Sequence, residues 1–280
     1  MTILIDTNQV LISSILSQVK PNQYIDEDLI RHIVLNSLRS NVKKFREYGE
    51  VVLCCDSRNY WRKEVYPHYK AHRKAAREKS LLDWNLVFKV LNQLKEDFKQ
   101  NFPYKTIEVD GAEADDIIGT LTPRLASSEK VLILSSDADF KQLHRFDGVK
   151  QFNPMLNVFV KSKNPIRELK EKVIKGDSGD GVPSILSSDD TFIIGKRQSP
   201  IYQKKLDIWL ESDLKEVLTE EQYRNYMRND TLINFEHIPK NIREAIIEQY
   251  ETVKPNSKNA LYKYFVANKL VNLLDSLEDF

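Results

Sequence analysis

The sequence predicts an α/β chain with a mostly parallel central sheet, helices on both faces, and a helical C-terminal part. Two observations carry this. Short apolar runs alternate with segments of helical hydrophobic spacing through the first half. Beyond Asn153-Pro154 only one further strand-like run occurs, and everything past Pro165 reads as helix or loop. Polar, poorly periodic residues near 184–190 place a boundary near residue 180, giving an α/β unit over 1–180 and a helical unit over 181–280.

The elements follow in order. Residues 2–5 and 51–55 read as buried strands, each leading into an aspartate, Asp6 and Asp56. Between them Leu29, Ile30, Ile33, Val34, Leu38, Val42 and Phe45 recur at helical spacing, and Gly49 supplies a stop. Trp84, Val87, Phe88, Leu91, Leu94 and Phe98 mark a second amphipathic helix. A strand over 106–109, a helix over 112–125 and a strand over 131–134 complete the alternation, and 149–152 with 158–161 suits a hairpin. Helices are expected over 200–210, with Pro200 at the start, and over 220–228, 239–253 and 259–277. In parallel sheets ligands collect beyond the carboxyl ends of the strands. Asp6, Asp56 and the pair Asp137/Asp139 all fall at such ends.

Composition excludes several classes. A 41% hydrophobic share is enough for a core, so wholesale disorder is excluded. No apolar run nears the ~18 residues of a membrane span, and residues 1–6 lack a basic leader, so the expected location is cytoplasmic with no membrane partner. The two cysteines, Cys54 and Cys55, are adjacent, which excludes a disulfide framework and a Cys-rich zinc site. The five histidines are scattered without zinc spacing. A net charge of +1 conceals strong segregation. Residues 57–79 hold eight Lys/Arg against Glu64 and Glu78, and residues 110–139 hold seven acids against Arg124 and Lys130. A basic stripe suits phosphate backbones, and an acidic cluster suits divalent metals.

Each cluster also has a plain reading. An aspartate after a strand is ordinarily a turn former or helix N-cap. Glu113-Ala114-Asp115-Asp116 opens a helix, where acids meet the dipole favourably, and helical spacing pairs Glu113 with Asp116. Asp137 and Asp139 are an i, i+2 pair that can point to one side. Gly176-Asp177-Ser178-Gly179-Asp180-Gly181 concentrates three of the chain's eight glycines, a tightly shaped loop presenting two carboxylates. Taken jointly, the acids favour metal. Two like charges ~4 Å apart repel by roughly 4 kcal/mol at an effective dielectric near 20, and hard cations relieve that repulsion. Carboxylates in two groups suggest two metals, the arrangement of phosphodiester cleavage. The stretch from Tyr60 to Lys74 interleaves aromatics with Arg62, Lys63, Lys70, Arg73 and Lys74, a pattern suited to stacking bases and neutralising phosphates. The stretch 195–205 holds Lys196, Arg197, Lys204 and Lys205 and no acid, a second basic segment.

These segments, in order and spacing, resemble the flap endonuclease or 5′-nuclease family, and within it the bacteriophage ribonuclease H branch. The resemblance rests on Asp6-Thr7-Asn8, Asp56 after its strand, Tyr60-Trp61-Arg62, Tyr69-Lys70 through Arg73, Glu113-Ala114-Asp115-Asp116, residues 135–140, and Lys175-Gly176-Asp177 with Asp180. It implies a PIN-like nuclease domain and a modified helix–three-turn–helix element in the helical part. It also implies a metal-dependent 5′ nuclease, both exonuclease and flap endonuclease, that removes RNA primers and 5′ flaps using two Mg²⁺ ions, with Mn²⁺ able to substitute. By resemblance Asp56, Asp115 and Asp137 hold one metal, with Asp6 and Glu113 acting through water, and Asp139, Asp177 and Asp180 serve the second. Helical spacing instead keeps Asp116 among the candidate ligands. Arg62, Lys70 and Arg73 match the basic positions of an arch over the site, with Tyr69 the aromatic beside them and Lys74 on the nucleic-acid side. The implied partners are branched or nicked duplex DNA, RNA–DNA hybrid, single-strand DNA-binding protein and a sliding clamp, met by a monomer.

The chain departs from the family in two places. The Gly-x-Gly-x-Lys hairpin expected after Pro183 is replaced by residues 184–194, so the family's potassium site is not carried over and duplex grip passes to residues 195–205. Residues 270–280 show no recognisable clamp peptide. Two rival readings stand beside this one: a PIN-type single-strand ribonuclease, and a noncatalytic fork-binding module.

Overall fold

A computed structural model describes residues 1–20 and 23–280. Six strands, β1 (Thr2–Asp6), β2 (Glu50–Cys54), β3 (Lys105–Ile107), β4 (Val131–Leu134), β5 (Val149–Asn153) and β6 (Val158–Val160), form one sheet in the order β3-β2-β1-β4-β5-β6. β1 to β5 are mutually parallel, and β6 closes the edge as the antiparallel arm of the expected hairpin.

Helices α1 (Thr7–Gln18), α2 (Glu27–Lys44), α3 (Trp61–Val65), α4 (His72–Glu78), α5 (Trp84–Asn101) and α6 (Ala114–Ala126) belong to the first half. A 3-10 helix spans Ala138–Arg145 after β4. Then follow α7 (Pro165–Lys175), α8 (Gln203–Glu211), α9 (Leu214–Val217), α10 (Glu220–Ile233), α11 (Lys240–Thr252), α12 (Lys258–Ala267) and α13 (Val271–Leu274). The predicted fold class is the one observed: a mostly parallel sheet covered on both faces, plus C-terminal helices.

Strand alternation builds two cores. Ile3, Ile5, Leu53 and Leu134 face α2 and α5, where Phe98 and Phe102 also receive Leu261 and Phe265 of α12. Leu4, Val52 and Ile133 face α6, where Ile117 and Leu121 meet Ile242 and Ile246 of α11. The last helices therefore return to cover the sheet. α7 to α10 share a separate core around Ile174, Leu206 and Trp209. A fourth cluster joins Tyr66 and Tyr69 to Val173 of α7 and Leu232 of α10, fixing the base of the basic stretch to the helical part.

Three expectations need correction. α1 was not anticipated, because its apolar positions make a weak stripe; Asp6 caps it by accepting from Gln9 N. The segment from 200 does not enter helix at Pro200: Tyr202 is still extended (φ −71, ψ 141), and α8 starts at Gln203. The single helix expected over 259–277 breaks into α12, α13 and a 3-10 turn, because Lys269 takes a left-handed φ of 56.

Candidate metal centre

β1 lies between β2 and β4, so the residues ending these strands are brought side by side at the carboxyl edge. Asp6 ends β1, Asp56 follows β2 by two residues, and Asp137 follows β4 by three. The first turn of α6 adds Asp115. These four aspartates line one cavity of about 410 Å³, together with Tyr60, Lys70 and Arg73.

Three of the four carboxylates, those of Asp6, Asp56 and Asp137, are held by hydrogen-bond donors. Asp6 accepts from Gln9 N (3.3 Å) and Ser135 Oγ (2.9 Å). Asp56 accepts from Asn8 Nδ2 and Ala114 N, both at 2.8 Å. Asp137 accepts from Asp139 N at 2.9 Å. Basic side chains nearby are engaged elsewhere: Lys70 Nζ lies 2.6 Å from Glu113, and Arg73 2.6 Å from Asp180.

Burial and uncompensated charge together shift the carboxyls of Asp6, Asp115 and Asp137 upward. Burial first, then the charges of Asp56 and Asp137, pushes the Asp6 carboxyl up to about 7. Burial and the charges of Asp137 and Asp6 hold Asp115 well above the usual carboxylate range. Asp137 is raised by burial as well, with the Lys172 ammonium opposing the shift. Among the described residues no three carboxylate, imidazole or thiolate groups close on a single point. The donor set nevertheless fits a hard divalent ion. It is all carboxylate oxygen, none of it paired with a basic side chain among the described residues, and it surrounds a cavity of about 410 Å³ with room for the waters that Mg²⁺ retains.

Glu113 and Asp116 are placed differently from Asp115. They form a capping box at the start of α6, and Asp116 is fully buried. Asp116 accepts from Trp61 Nε1 (3.2 Å) and lies 2.8 Å from Arg62, whose guanidinium also reaches Glu113 at 2.9 Å and donates to Leu232 O at 2.8 Å. Burial alone would lower the Arg62 guanidinium, but the charges of Asp116 and Glu113 outweigh it and hold it well above its ordinary value. Asp116 is thus turned away from the cavity, and Arg62 lies beneath it as a buried strut, out of reach of a phosphate.

A second acidic group surrounds the glycine-rich loop. Gly176 (φ +73) passes so close to Val182 O that a Cβ there would stand 2.4 Å away, which only glycine avoids. Asp177 Oδ1 accepts from Gly179 N (2.8 Å) and Asp180 N (3.2 Å), folding the loop back. Asp180 meets Arg73 at 2.6 Å, Lys70 Nζ at 3.6 Å and Tyr69 OH at 2.7 Å. Although half-buried, it is held below the usual range by the Lys70 and Arg73 charges. Tyr69 OH also lies 3.0 Å from Glu113, linking the two acidic groups. Lys172 pairs with Asp139 and, at 2.7 Å, with Asp177.

Of the remaining sequence candidates, Lys74 is exposed on α4, clear of the cavity lining. Lys196, Arg197, Lys204 and Lys205 are exposed near the start of α8 and are not brought to the cavity. Sequence reasoning missed Asn8, Gln9 and Ser135, which hold the carboxylates, and Lys172. Asn8 had a signal in its place two residues after Asp6, whereas Lys172 had none, since nothing in the chain announces that α7 lies beside the 3-10 helix.

Comparison with known proteins agrees with this geometry. A family model described as the 5′-3′ exonuclease N-terminal resolvase-like domain matches residues 2–175, and one described as the T4 RNase H C-terminal domain matches 165–280. The ribonuclease H of Enterobacteria phage T4 is 35% identical over 99% of this chain and 95% of its own length. The chain belongs to the 5′–3′ exonuclease family. It is a hydrolytic 5′ nuclease of the group that includes phage ribonuclease H and the flap endonucleases. A flap endonuclease of Shewanella sp. (strain MR-4) is 30% identical, matching 45% of this chain and 48% of its own. Among solved structures, the bacteriophage T5 flap endonuclease in a pseudo-enzyme–product complex with DNA and metal ions superposes with TM-score 0.63 at 16% identity. That match covers 89% of this chain and 98% of that one. The T5 5′-exonuclease with bound divalent zinc ions gives 0.61, also at 16% identity, over 91% and 99%. These two likenesses bear on the fold. In this 5′–3′ exonuclease no described helix is long and apolar enough to cross a membrane.

Proposed function

We propose that this protein removes RNA primers and 5′ flaps from branched or nicked duplexes, using two Mg²⁺ ions for which Mn²⁺ can substitute. The observation that carries the reading is the convergence of four aspartates, none paired with a basic side chain among the described residues, at the carboxyl edge of the sheet beside Lys70 and Arg73. Asp6, Asp56, Asp115 and Asp137 hold the first ion, and Asp139, Asp177 and Asp180 the second. Bound there, the divalent metal supplies water ionisation at neutral pH and charge neutralisation at the phosphate. Lys70 and Arg73 offer positive charge to the scissile phosphate from the cavity wall. Glu113 keeps the Lys70 ammonium at the cavity, and Arg62 keeps Glu113 and Asp116 in place from below.

Metal chemistry belongs to residues 1–180, and duplex grip to the helical part from 181, principally residues 195–205. Phosphate contacts position a duplex without reading bases, so branch geometry sets specificity. We assign the activity to a monomer in the cytoplasm, working beside single-strand DNA-binding protein and a sliding clamp. The test is a labelled 5′-flap duplex with an RNA or DNA flap, incubated with Mg²⁺ or with EDTA. Cleavage near the branch with Mg²⁺ alone is expected. Equal or better cleavage of linear single strand would replace the reading with a PIN-type ribonuclease, and binding without cleavage would replace it with a fork-binding module.

A further inference from the structure

The two acidic groups differ in a way the metal reading alone does not explain. The four aspartates of the first group form no ion pair among the described residues, whereas every acid of the second is already engaged. Asp180 is taken by Arg73 and Lys70, and Asp139 and Asp177 by Lys172. Lys172 projects from α7 toward the 3-10 helix at Ala138–Arg145, and its side chain is 23% exposed.

This lysine is not needed to hold Asp177 in place. Asp177 Oδ1 is fixed by the amides of Gly179 and Asp180, and Oδ2 is the oxygen that meets Lys172. Asp139 differs: among the described residues its buried Oδ1 has no other donor, and the only group facing it is the Lys172 ammonium. One monovalent cation therefore sits between two carboxylate oxygens that a divalent ion would have to share.

There is also somewhere for it to go. A groove of about 380 Å³ opens beside Lys172, lined by Gln142, Glu168 and Glu171. These two glutamates pair only with exposed or half-exposed lysines, Lys141 at 3.5 Å and Lys175 at 2.5 Å. Turned out of the acid pair, the ammonium would stand in this groove beside two glutamates already paired with Lys141 and Lys175, so the charge that replaces it at Asp139 and Asp177 has to come from the incoming divalent ion.

We propose that Lys172 is a resident counter-ion of the second carboxylate group, competing with the second divalent ion and making it bind later and more weakly than the first. This rests on the two-ion reading above. The lysine neutralises Asp139 and Asp177 before the ion arrives and sets the metal concentration at which the second ion enters.

Mn²⁺ binding to the whole protein, followed by electron paramagnetic resonance of the free ion, tests it without reference to cleavage. The proteins compared are wild type, Lys172→Met, Lys172→Gln and Lys172→Arg, each checked for folding by circular dichroism. Wild type is expected to take one ion tightly and a second weakly. The neutral variants should tighten the second by about tenfold or more, leave the first within about twofold, and be indistinguishable from each other, while Lys172→Arg stays with wild type. Should Met melt below the assay temperature, Gln carries the comparison. A second ion binding equally to wild type and to the folded neutral variants overturns the role of Lys172 and leaves the two-ion reading intact. One ion only in all four proteins overturns both.

Discussion

Arg62 and Asp116 pair at 2.8 Å with essentially no solvent contact on either side chain. Arg62 and Asp116 come from helices far apart in sequence, and they hold the start of α6 against α3 directly beneath the acidic cavity. Removing one partner of a buried ion pair leaves an uncompensated charge and typically destabilises by about 3–5 kcal/mol. Arg62→Met is expected to lose stability on that scale in urea unfolding. Its position beneath the site, without a route to substrate, makes this primarily a folding defect. Wild-type stability with a collapsed cleavage rate would return Arg62 to the reacting surface.

Asp6 gives a pH-dependent prediction for the metal-free protein. Its folded value of about 7 lies above the ordinary 3.8, so the folded state binds the proton more tightly than the unfolded chain. The stability this confers is present below 3.8 and is lost progressively as pH rises to about 7. Asn in its place can still cap α1 through its side-chain oxygen. Asp6→Asn should therefore raise Tm in EDTA at pH 8, with the advantage shrinking toward pH 4. Melting curves at both values settle it, and an equal or growing advantage at low pH would contradict the charge argument.

How much of this was legible in the chain depends on how local each signal is. Asp6, Asp56 and Asp137 stand out because each closes a strand run, and neighbouring parallel strands must bring their ends together. The choice between Asp115 and Asp116 was not legible from spacing, since helical periodicity does not say which side of α6 faces the sheet edge. Asp116 was absorbed by the capping box and Arg62, leaving Asp115 for the cavity. Arg62 reads in sequence as a phosphate-facing charge of the arch, because the acids that bury it lie about fifty residues away (Glu113 and Asp116). The unbroken apolar spacing past Ala267 hid the left-handed turn at Lys269, which is a backbone event without a glycine to announce it.

Lys70 joins backbone and chemistry in one residue. Its φ of 56 is left-handed, its amide donates to Asp180 O at 2.8 Å, and its Nζ meets Glu113 at 2.6 Å. Lys70→Ala keeps a Cβ in that conformation, at a disadvantage of about 1 kcal/mol relative to Lys70→Gly. Both lose the ammonium, so both should slow single-turnover cleavage by roughly 10²–10³. The Gly variant should be no less stable than the Ala variant in thermal melts. A normal single-turnover rate with weaker binding in both would make Lys70 a positioning residue for substrate.

The segment at 195–205 is the remaining test of how duplex is gripped. Lys196, Arg197, Lys204 and Lys205 are all exposed, and none forms an ion pair among the described residues, so their charge is open to solvent. Lys205 Nζ rests 4.6 Å from the centre of the Trp209 ring, which steadies one of the four against α8. The start of α8 at Gln203 moves the free helical amides three residues beyond the place the proline suggested, so Lys204 and Lys205 lie in the first turn of the helix itself. Positive side chains there add to the field of the helix N-terminus and favour phosphate. Replacing all four by Gln should weaken duplex binding and flatten the dependence of log K on log salt by up to about 0.9 per lost phosphate contact. Because none of the four lines the cavity, Mn²⁺ affinity and the single-turnover rate at saturating enzyme should stay near wild type. Unchanged duplex affinity and salt slope in the quadruple variant would make this stretch a solvated loop and move the grip to another face of the helical part.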